Sequence, residues 1–194
     1  MKVKVTPSKV HGNVKIPASK SMAHRALICA SLSDGTSIVS NVTNSKDIEA
    51  TVGCMKALGA KIKQIDETTY EVTGTNLFKQ EGNITCNANE SGSTLRFLIP
   101  LAACTNAKVK FLGQGRLLQR PMDVYENEFK EQNIEFNQSD KEIIVSGNLQ
   151  AKDYVVQGDI SSQFITGFMF VLPLLNQDST LTITKPYESK SYVN

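Results

Sequence analysis

Four polar residues stand together at the start of an otherwise apolar helical pattern, in the segment KIPASKSMAHRALICASL (15–32). They are Lys20, Ser21, His24 and Arg25. Four polar side chains at the edge of an apolar core indicate that the protein binds a charged group there. The first N–H groups of a helix have no intrahelical partner and carry the positive end of the helix dipole. The segment is therefore suited to binding an anion.

Two further predicted helix starts repeat this pattern. Ser91 and Ser161 follow Ser21 at intervals of 70 residues, in the segments ESGS and DISSQ. A single serine at such a point is most simply an N-cap, which stabilises a helix by about 1 kcal/mol. Three equivalent helix starts that meet at a common rim would instead form a strong anion-binding site.

Basic residues accompany these helix starts. Arg96 lies five residues after Ser91, and Arg116 and Arg120 flank the tripeptide LLQ just before a proline that starts another predicted helix. Arginine forms bidentate contacts with phosphate or carboxylate, whereas lysine acts as a point charge. Each arginine alone is typical of a solvated surface, but together with Lys20 they favour a cleft for phosphates or carboxylates. The chain contains no GxxxxGK[ST] motif, so a P-loop is excluded.

The elements that must position these residues follow a repeating order of strand, helix, strand, helix and hairpin. The predicted elements are strands near 2–6 and 13–16, helix 19–33, strand 37–42, helix 46–58 and hairpin 61–74; strand 83–87, helix 91–103, strand 108–113, helix 121–132 and hairpin 134–147; and strand 153–157, helix 161–175 and strand 179–184. The two hairpins have the same layout, offset by about 73 residues.

This self-similarity predicts an α/β (α+β) fold with a pseudo-threefold repeat of β-α-β-α-β-β units. The units are expected at about 16–80, 81–150 and 151–194. The third unit is incomplete, because the chain ends where its second helix should begin.

Composition and charge exclude several classes of function. The net charge of +2 is small and evenly spread, which is untypical of a nucleic-acid-binding surface. No stretch of about 18 apolar residues predicts a membrane span. The two histidines lie far apart in sequence, so no histidine-based metal site and no cofactor is expected. The four cysteines form no CxxC pair and are predicted to be buried, reduced thiols. The first residues resemble no signal or transit peptide, which favours the cytoplasm.

Five short motifs, taken in order, resemble the N-terminal half of the 5-enolpyruvylshikimate-3-phosphate synthase family. They are K-S-x-x-x-R, G-S-T-x-R, R-P-M, S-S-Q-F and S-K-S-Y, and the resemblance extends over nearly all 194 residues. The resemblance implies one lobe of the two-lobed enolpyruvyl transferase fold, with the active site between the lobes. It also implies transfer of the enolpyruvyl group of phosphoenolpyruvate to the 5-hydroxyl of shikimate 3-phosphate, in chorismate synthesis.

The resemblance also implies a set of site residues, carried over by matching position. Those for shikimate 3-phosphate are Lys20, Ser21, Arg25, Ser161, Ser162, Gln163, Ser189 and Tyr192. Those for phosphoenolpyruvate are Lys20, Gly92, Arg120 and Gln163. Lys20, between the two substrates, is the implied catalytic residue, and Arg96 is assigned a structural role.

The second lobe is the partner that the resemblance implies, since it carries the acid/base carboxylates of the family. We therefore expect the 194-residue chain to lack turnover, and the full-length enzyme to be a monomer. Residues 1–15 are expected to belong to the hinge or the other lobe. Glu90 departs from the family pattern by placing a carboxylate near the expected phosphate site, which leaves sensitivity to the family inhibitor glyphosate open.

Two alternative functions remain at this stage. The sister class, UDP-N-acetylglucosamine enolpyruvyl transferase, shares the fold but uses a loop cysteine. The loop 113–121 has no cysteine here, and Cys104 is interpreted as a core residue at the end of a helix. A non-catalytic phosphosugar- or anion-binding module is the other alternative.

Overall fold

The computed structural model describes residues 2–9, 11–14, 16–186 and 193. The helices are α1 (Lys20–Leu32), α2 (Lys46–Ala57), α3 (Gly92–Ala102), α4 (Asp123–Glu131) and α5 (Ser162–Val171). The strands are β1 (Thr36–Val39), β2 (Lys61–Gln64), β3 (Tyr70–Thr73), β4 (Glu81–Asn87), β5 (Asn106–Leu112), β6 (Glu135–Gln138), β7 (Ile143–Ser146), β8 (Asp153–Gln157) and β9 (Thr180–Thr184).

The sheet topology confirms the repeat. The middle unit is complete and has the strand order β4-β5-β7-β6, in which β4 and β5 are parallel and the hairpin β6-β7 adds antiparallel to β5. The first unit has the order β1-β3-β2, which is the same arrangement without its first strand. The third unit provides the parallel pair β8-β9. The described part of the chain therefore contains one full unit and two partial ones.

The strand predicted at 2–6 is wrong, because residues 2–9 form neither helix nor strand. Residues 13, 14 and 16 of the second predicted strand form none either. Alternation of β-branched and charged residues favours an extended chain, but a strand also needs a neighbour for its backbone N–H and C=O groups. Residues 2–9 are exposed throughout, so the pattern lacks that neighbour.

Prolines explain two boundaries that differ from the sequence prediction. Arg120 precedes a proline and has extended backbone angles, φ −70° and ψ 139°, so α4 begins at Asp123 rather than at residue 121. α5 ends at Val171, and a 3-10 turn, Leu172–Leu174, follows because Pro173 has no N–H for the α-helical ladder.

Helices α3 and α5 form the centre of the core. Pro100 lies inside α3 and lacks the N–H that would normally bond to the carbonyl of Arg96 four residues earlier. The buried hydroxyl of Tyr125 in α4 donates to that carbonyl instead, at 2.6 Å. Gly167 of α5 packs against the same point, since a Cβ there would overlap the Tyr125 hydroxyl and lie 2.9 Å from the Arg96 carbonyl oxygen.

The cysteines are as expected except for one. Cys54, Cys86 and Cys104 are buried free thiols, so the interpretation of Cys104 as core is confirmed. Cys29 is exposed, against expectation. It lies seven residues, or about two helical turns, after the exposed Met22, so both side chains are on the outer face of α1. No helix in the described part of the chain has the length and apolar character needed to cross a membrane.

Candidate functional site

Four of the five α-helices described begin with a serine N-cap: Ser45 caps α2, and the other three caps are those of α1, α3 and α5. The hydroxyl oxygens of Ser19, Ser91 and Ser161 accept backbone N–H groups of the first turns of α1, α3 and α5 at 3.4, 3.2 and 3.3 Å. The equivalence drawn from sequence is therefore wrong for α1, where the cap is Ser19. Ser21 is the second residue of that helix, and its carbonyl serves as an acceptor instead.

Polar contacts join the first turns of α1, α2 and α3. Lys20, the first residue of α1, forms a salt bridge with Asp47 in the first turn of α2, with 2.5 Å between Nζ and Oδ2. The hydroxyl of Thr94, in the first turn of α3, donates to the carbonyl of Asp47 at 3.3 Å. The starts of these three helices therefore lie side by side.

Further contacts bring the starts of α4 and α5 to the same place. Gln163, the second residue of α5, donates from Nε2 to Ser93 Oγ, in the first turn of α3, at 2.8 Å. The guanidinium of Arg120, which precedes α4, packs directly on Gly92, where any side chain would displace it. Five helix N-termini thus converge, two more than the sequence pattern indicated.

Arg25 reaches from α1 across to α5. Its guanidinium donates to the carbonyl of Ser21 and to the hydroxyl of Thr166, each at 2.9 Å. It also lies 5.0 Å from the ring centroid of Phe97, which suits a cation–π contact. These contacts hold a half-buried positive charge in one position at the convergence of the helices.

Arg96 adds a second half-buried charge beside Arg120. Its Nη1 donates to Gln163 Oε1 at 2.8 Å, and its guanidinium lies 4.9 Å from the ring centroid of Phe164. Burial, and then the neighbouring charge of Arg120, lower the pKa of Arg96. Among the described residues neither arginine forms a salt bridge with a carboxylate. The start of α3 is therefore strongly electropositive.

A buried chain of hydroxyl groups supports the start of α3. His24 Nδ1 and Thr51 Oγ1 are 2.7 Å apart, and Thr51 Oγ1 and Thr94 Oγ1 are also 2.7 Å apart. Thr94 Oγ1 also lies 2.8 Å from Ser91 Oγ, the N-cap oxygen. The chain crosses from α1 through α2 to α3 and fixes their first turns relative to each other.

His24 is fully buried, and this burial lowers its pKa to about 4. The charge of Asp47 opposes the shift, while the charges of Lys20 and Arg25 add to it. The imidazole is therefore neutral near pH 7.

The acidic residues of the region line a pocket beside these helix starts. A pocket of about 480 Å³ is lined by Lys46, Asp47, Glu49, Asn89, Glu90 and Gln114. The carboxylate of Glu90 is turned toward the loop before Arg116, since a Cβ on Gly115 would lie 3.0 Å from it. Glu90 is exposed, so its charge is solvated.

The structure brings together most of the residues named from sequence. They are Lys20, Ser21, Arg25, Gly92, Arg120, Ser161, Ser162 and Gln163. Ser189 and Tyr192 lie outside the described residues. Ser161 is the N-cap of α5. No group of three or more His, Cys, Asp or Glu side chains suited to a metal occurs within the described ranges.

Sequence reasoning missed three contributors to this region. Asp47, in the first turn of α2 behind the Ser45 cap, pairs with Lys20. Ser93 and Thr166 were not singled out. The signal for Ser93 and Asp47 was their place in the first turn of a helix, but nothing local distinguishes Thr166, whose partner is 141 residues away.

The chain is similar in sequence to known enzymes. A sequence model of EPSP synthase (3-phosphoshikimate 1-carboxyvinyltransferase) matches residues 5–194. The 3-phosphoshikimate 1-carboxyvinyltransferase of Clostridium perfringens (strain SM101) is 47% identical over 195 residues, covering 100% of this chain and 46% of that protein. The protein of the same name from Clostridioides difficile (strain 630) is 45% identical over 205 residues, covering 99% and 46%.

A solved structure shows the same fold. EPSP synthase from Acinetobacter baumannii superposes with a TM-score of 0.77 at 17% identity, covering 94% of this chain and 42% of that chain. The expected fold class is thereby confirmed. The chain spans less than half the length of the curated relatives it matches.

Proposed function

Since the chain belongs to the EPSP synthase family, we propose that it forms the half of a 3-phosphoshikimate 1-carboxyvinyltransferase that binds shikimate 3-phosphate and part of phosphoenolpyruvate. One observation carries the proposal: five helix N-termini converge on a surface where Arg96 and Arg120 lack carboxylate partners among the described residues. Both substrates carry phosphate and carboxylate groups, which such a surface stabilises.

Shikimate 3-phosphate is assigned to the side formed by α1 and α5. Ser161 and Ser162 stand at the N-terminus of α5, where backbone N–H groups and hydroxyls can donate to the phosphate. Ser21 and Arg25 face them across the contact of Arg25 with Thr166. Arg25 is held by three contacts before any ligand arrives, so little side-chain entropy is lost on binding.

Phosphoenolpyruvate is assigned to the start of α3. The guanidinium of Arg120 packs on the backbone of Gly92, and Gln163 is fixed beside them through Ser93. Lys20 stands at the edge of this group with its charge balanced by Asp47. In this position Lys20 lies at the junction of the two substrate sites, where it contacts the reacting groups.

The proposed reaction is an addition followed by an elimination. The 5-hydroxyl of shikimate 3-phosphate gives up its proton to a base and its oxygen bonds to C2 of phosphoenolpyruvate, while an acid adds a proton to the methylene carbon, which gives a tetrahedral intermediate. The C2–O bond to phosphate then breaks, and a proton leaves the new methyl group, which regenerates the C=C bond and gives the enol ether and phosphate. Positive charge at the start of α3 stabilises the departing phosphate. The proton donors and acceptors are assigned to the second lobe, so the chain alone binds without turning over.

Isothermal titration of the 194-residue chain tests the binding part of the proposal. We expect shikimate 3-phosphate to bind at least about tenfold more tightly than shikimate, because the phosphate adds charge-assisted hydrogen bonds. No heat with shikimate 3-phosphate would contradict the proposal. Equal affinity for inorganic phosphate would favour a general anion-binding module, and preferential binding of UDP-N-acetylglucosamine would favour the sister enzyme class.

A phosphate-release assay with both substrates tests the expected lack of turnover. The isolated chain should release no phosphate above the rate without protein. Steady release at stoichiometry beyond one per chain would show that a second lobe is not needed. The cytoplasmic location, the monomeric full-length enzyme and the domain boundary near residue 15 remain predictions.

Arg120 and Arg116 offer a matched pair for testing the phosphoenolpyruvate site. Both are exposed, they are four residues apart, and each loses one positive charge on substitution by glutamine. We expect Arg120→Gln to weaken phosphoenolpyruvate binding by about 10- to 100-fold, because a charge-assisted hydrogen bond contributes about 1.5–3 kcal/mol. Arg116→Gln should change the affinity less than about threefold. Equal losses in the two variants would mean that only overall charge matters.

A further inference from the structure

We propose that Arg96 is a positioning residue that holds the side-chain amide of Gln163 with its NH₂ group toward the start of α3, so that Gln163 donates to a bound phosphate. The inference deepens the proposed function and rests on it, because the phosphate in question is that of the ligand bound at the start of α3. It assigns to Arg96 a role beyond the packing function indicated by its place in the helix.

The hydrogen-bond capacity of arginine determines the orientation of the amide. A guanidinium has five N–H donors and no acceptor, so the atom of Gln163 that faces Arg96 Nη1 at 2.8 Å must be the carbonyl oxygen Oε1. The amide nitrogen then lies on the other side, 2.8 Å from Ser93 Oγ. A serine hydroxyl both donates and accepts, so Ser93 alone would permit either orientation.

The two orientations of Gln163 have opposite effects on an anion. With Oε1 on Arg96, Nε2 uses one hydrogen for Ser93 and keeps a second for a ligand at the start of α3. The reversed amide would place NH₂ against the guanidinium, donor against donor, and turn the negative end of the carbonyl dipole toward the phosphate. Arg96 therefore decides whether Gln163 attracts or repels the ligand.

Packing keeps Arg96 in place for this role. Its guanidinium lies over the ring of Phe164, next in sequence to Gln163, at 4.9 Å. Its carbonyl is bonded by the buried hydroxyl of Tyr125 at 2.6 Å. Burial, and then the nearby charge of Arg120, lower the pKa of Arg96. Arg120 is exposed and free to contact ligand directly, whereas Arg96 is engaged with the amide.

A double-mutant cycle on the full 194-residue chain tests the proposal, with inorganic phosphate as the probe in isothermal titration. We expect Arg96→Gln to weaken phosphate binding by about tenfold when Gln163 is present, because the freed amide can reverse. In the Gln163→Ala background the same change should cost no more than about threefold, which is the effect of the lost charge alone. Arg96→Lys keeps a donor-only cation and should stay within about threefold of the wild type.

The side-chain amide resonance of Gln163, assigned by its absence in Gln163→Ala, reports orientation directly. Added phosphate should shift it in the wild type and in Arg96→Lys but not in Arg96→Gln. Equal losses from Arg96→Gln in both backgrounds, or an unshifted amide while phosphate binds, would overturn the inference and leave the proposed function intact. Failure of the wild type to bind phosphate or shikimate 3-phosphate at all would overturn both.

Discussion

Acidification from pH 7 to pH 4 is expected to remove about 3 kcal/mol of folding free energy through His24 alone. The side chain is fully buried, and burial lowers its pKa from 6.5 to about 4. Below pH 6.5 the unfolded chain binds a proton at this histidine that the folded chain does not bind. Stability is therefore complete above pH 6.5, falls as the pH decreases from there, and is fully lost from this source below about pH 4.

The environment of His24 explains why the folded state resists protonation. Nδ1 contacts Thr51 Oγ1 at 2.7 Å, and Nε2 is buried with no hydrogen-bond partner among the described residues. Protonation would bury a positive charge in the core on a ring whose Nε2–H group has no acceptor. Lys20 and Arg25 nearby oppose a further positive charge, and Asp47 compensates only in part.

Urea denaturation of the wild type, His24→Gln and His11→Gln at pH 7, 5.5 and 4.5 measures the effect. The difference in unfolding free energy between wild type and His24→Gln should shrink by about 1.4 kcal/mol per pH unit below 6.5. His11 is exposed, so His11→Gln should follow the wild type at every pH. Parallel losses in wild type and His24→Gln would show that His24 does not control the response. The carboxylates titrate in both proteins, so their contribution cancels in the difference in unfolding free energy between wild type and His24→Gln.

The repeat unit could be predicted from sequence because its signals are local and occur several times. Each helix or hairpin is marked by apolar periodicity and by a bounding proline or glycine, and these signals all lie within a window of about ten residues. The hairpin 61–74, for example, forms strands Lys61–Gln64 and Tyr70–Thr73. The segment 2–6 carried the same alternating pattern as a strand, yet whether a strand forms depends on a neighbour that local sequence does not reveal.

The site was predictable in its residue types but only partly in its contacts. Serines at helix starts and arginines beside them follow from capping and charge, and the structure brings them together. The salt bridge of Lys20 with Asp47, and the bonds of Gln163 with Arg96 and Ser93, depend on which helices pack side by side. Those pairs are separated by 27, 67 and 70 residues, so no short pattern contains them.

The crossing of α3 and α5 shows why packing partners escape sequence reasoning. Pro100 in α3 is readable as a helix breaker, and a sequence gives no reason why the helix continues through it. The reason is the Tyr125 hydroxyl, which satisfies the carbonyl of Arg96 that Pro100 leaves without an N–H. Gly167 permits the close approach that brings these groups together.

Substitution Gly167→Ala is therefore expected to destabilise the protein by about 3 kcal/mol, the upper end for overpacking. The new Cβ would overlap the Tyr125 hydroxyl and approach the carbonyl oxygen of Arg96 to 2.9 Å, and a helix backbone atom cannot move cheaply. Gly53→Ala in α2 is the matched control. It has no atom within 4 Å of the new Cβ and should stabilise the protein by about 0.5–1 kcal/mol.

A double mutant separates the clash from other effects of the alanine. Tyr125→Phe removes the hydroxyl and leaves the buried Arg96 carbonyl without a donor, which should cost about 1–3 kcal/mol. Because the alanine methyl then enters the vacated space, Gly167→Ala with Tyr125→Phe should cost less than the two single changes combined, by at least about 1 kcal/mol. Urea denaturation of the four proteins measures this coupling, and strict additivity would contradict the clash. Since α3 and α5 also hold the Arg96–Gln163 contact, Gly167→Ala should weaken phosphate binding while Gly53→Ala leaves it unchanged.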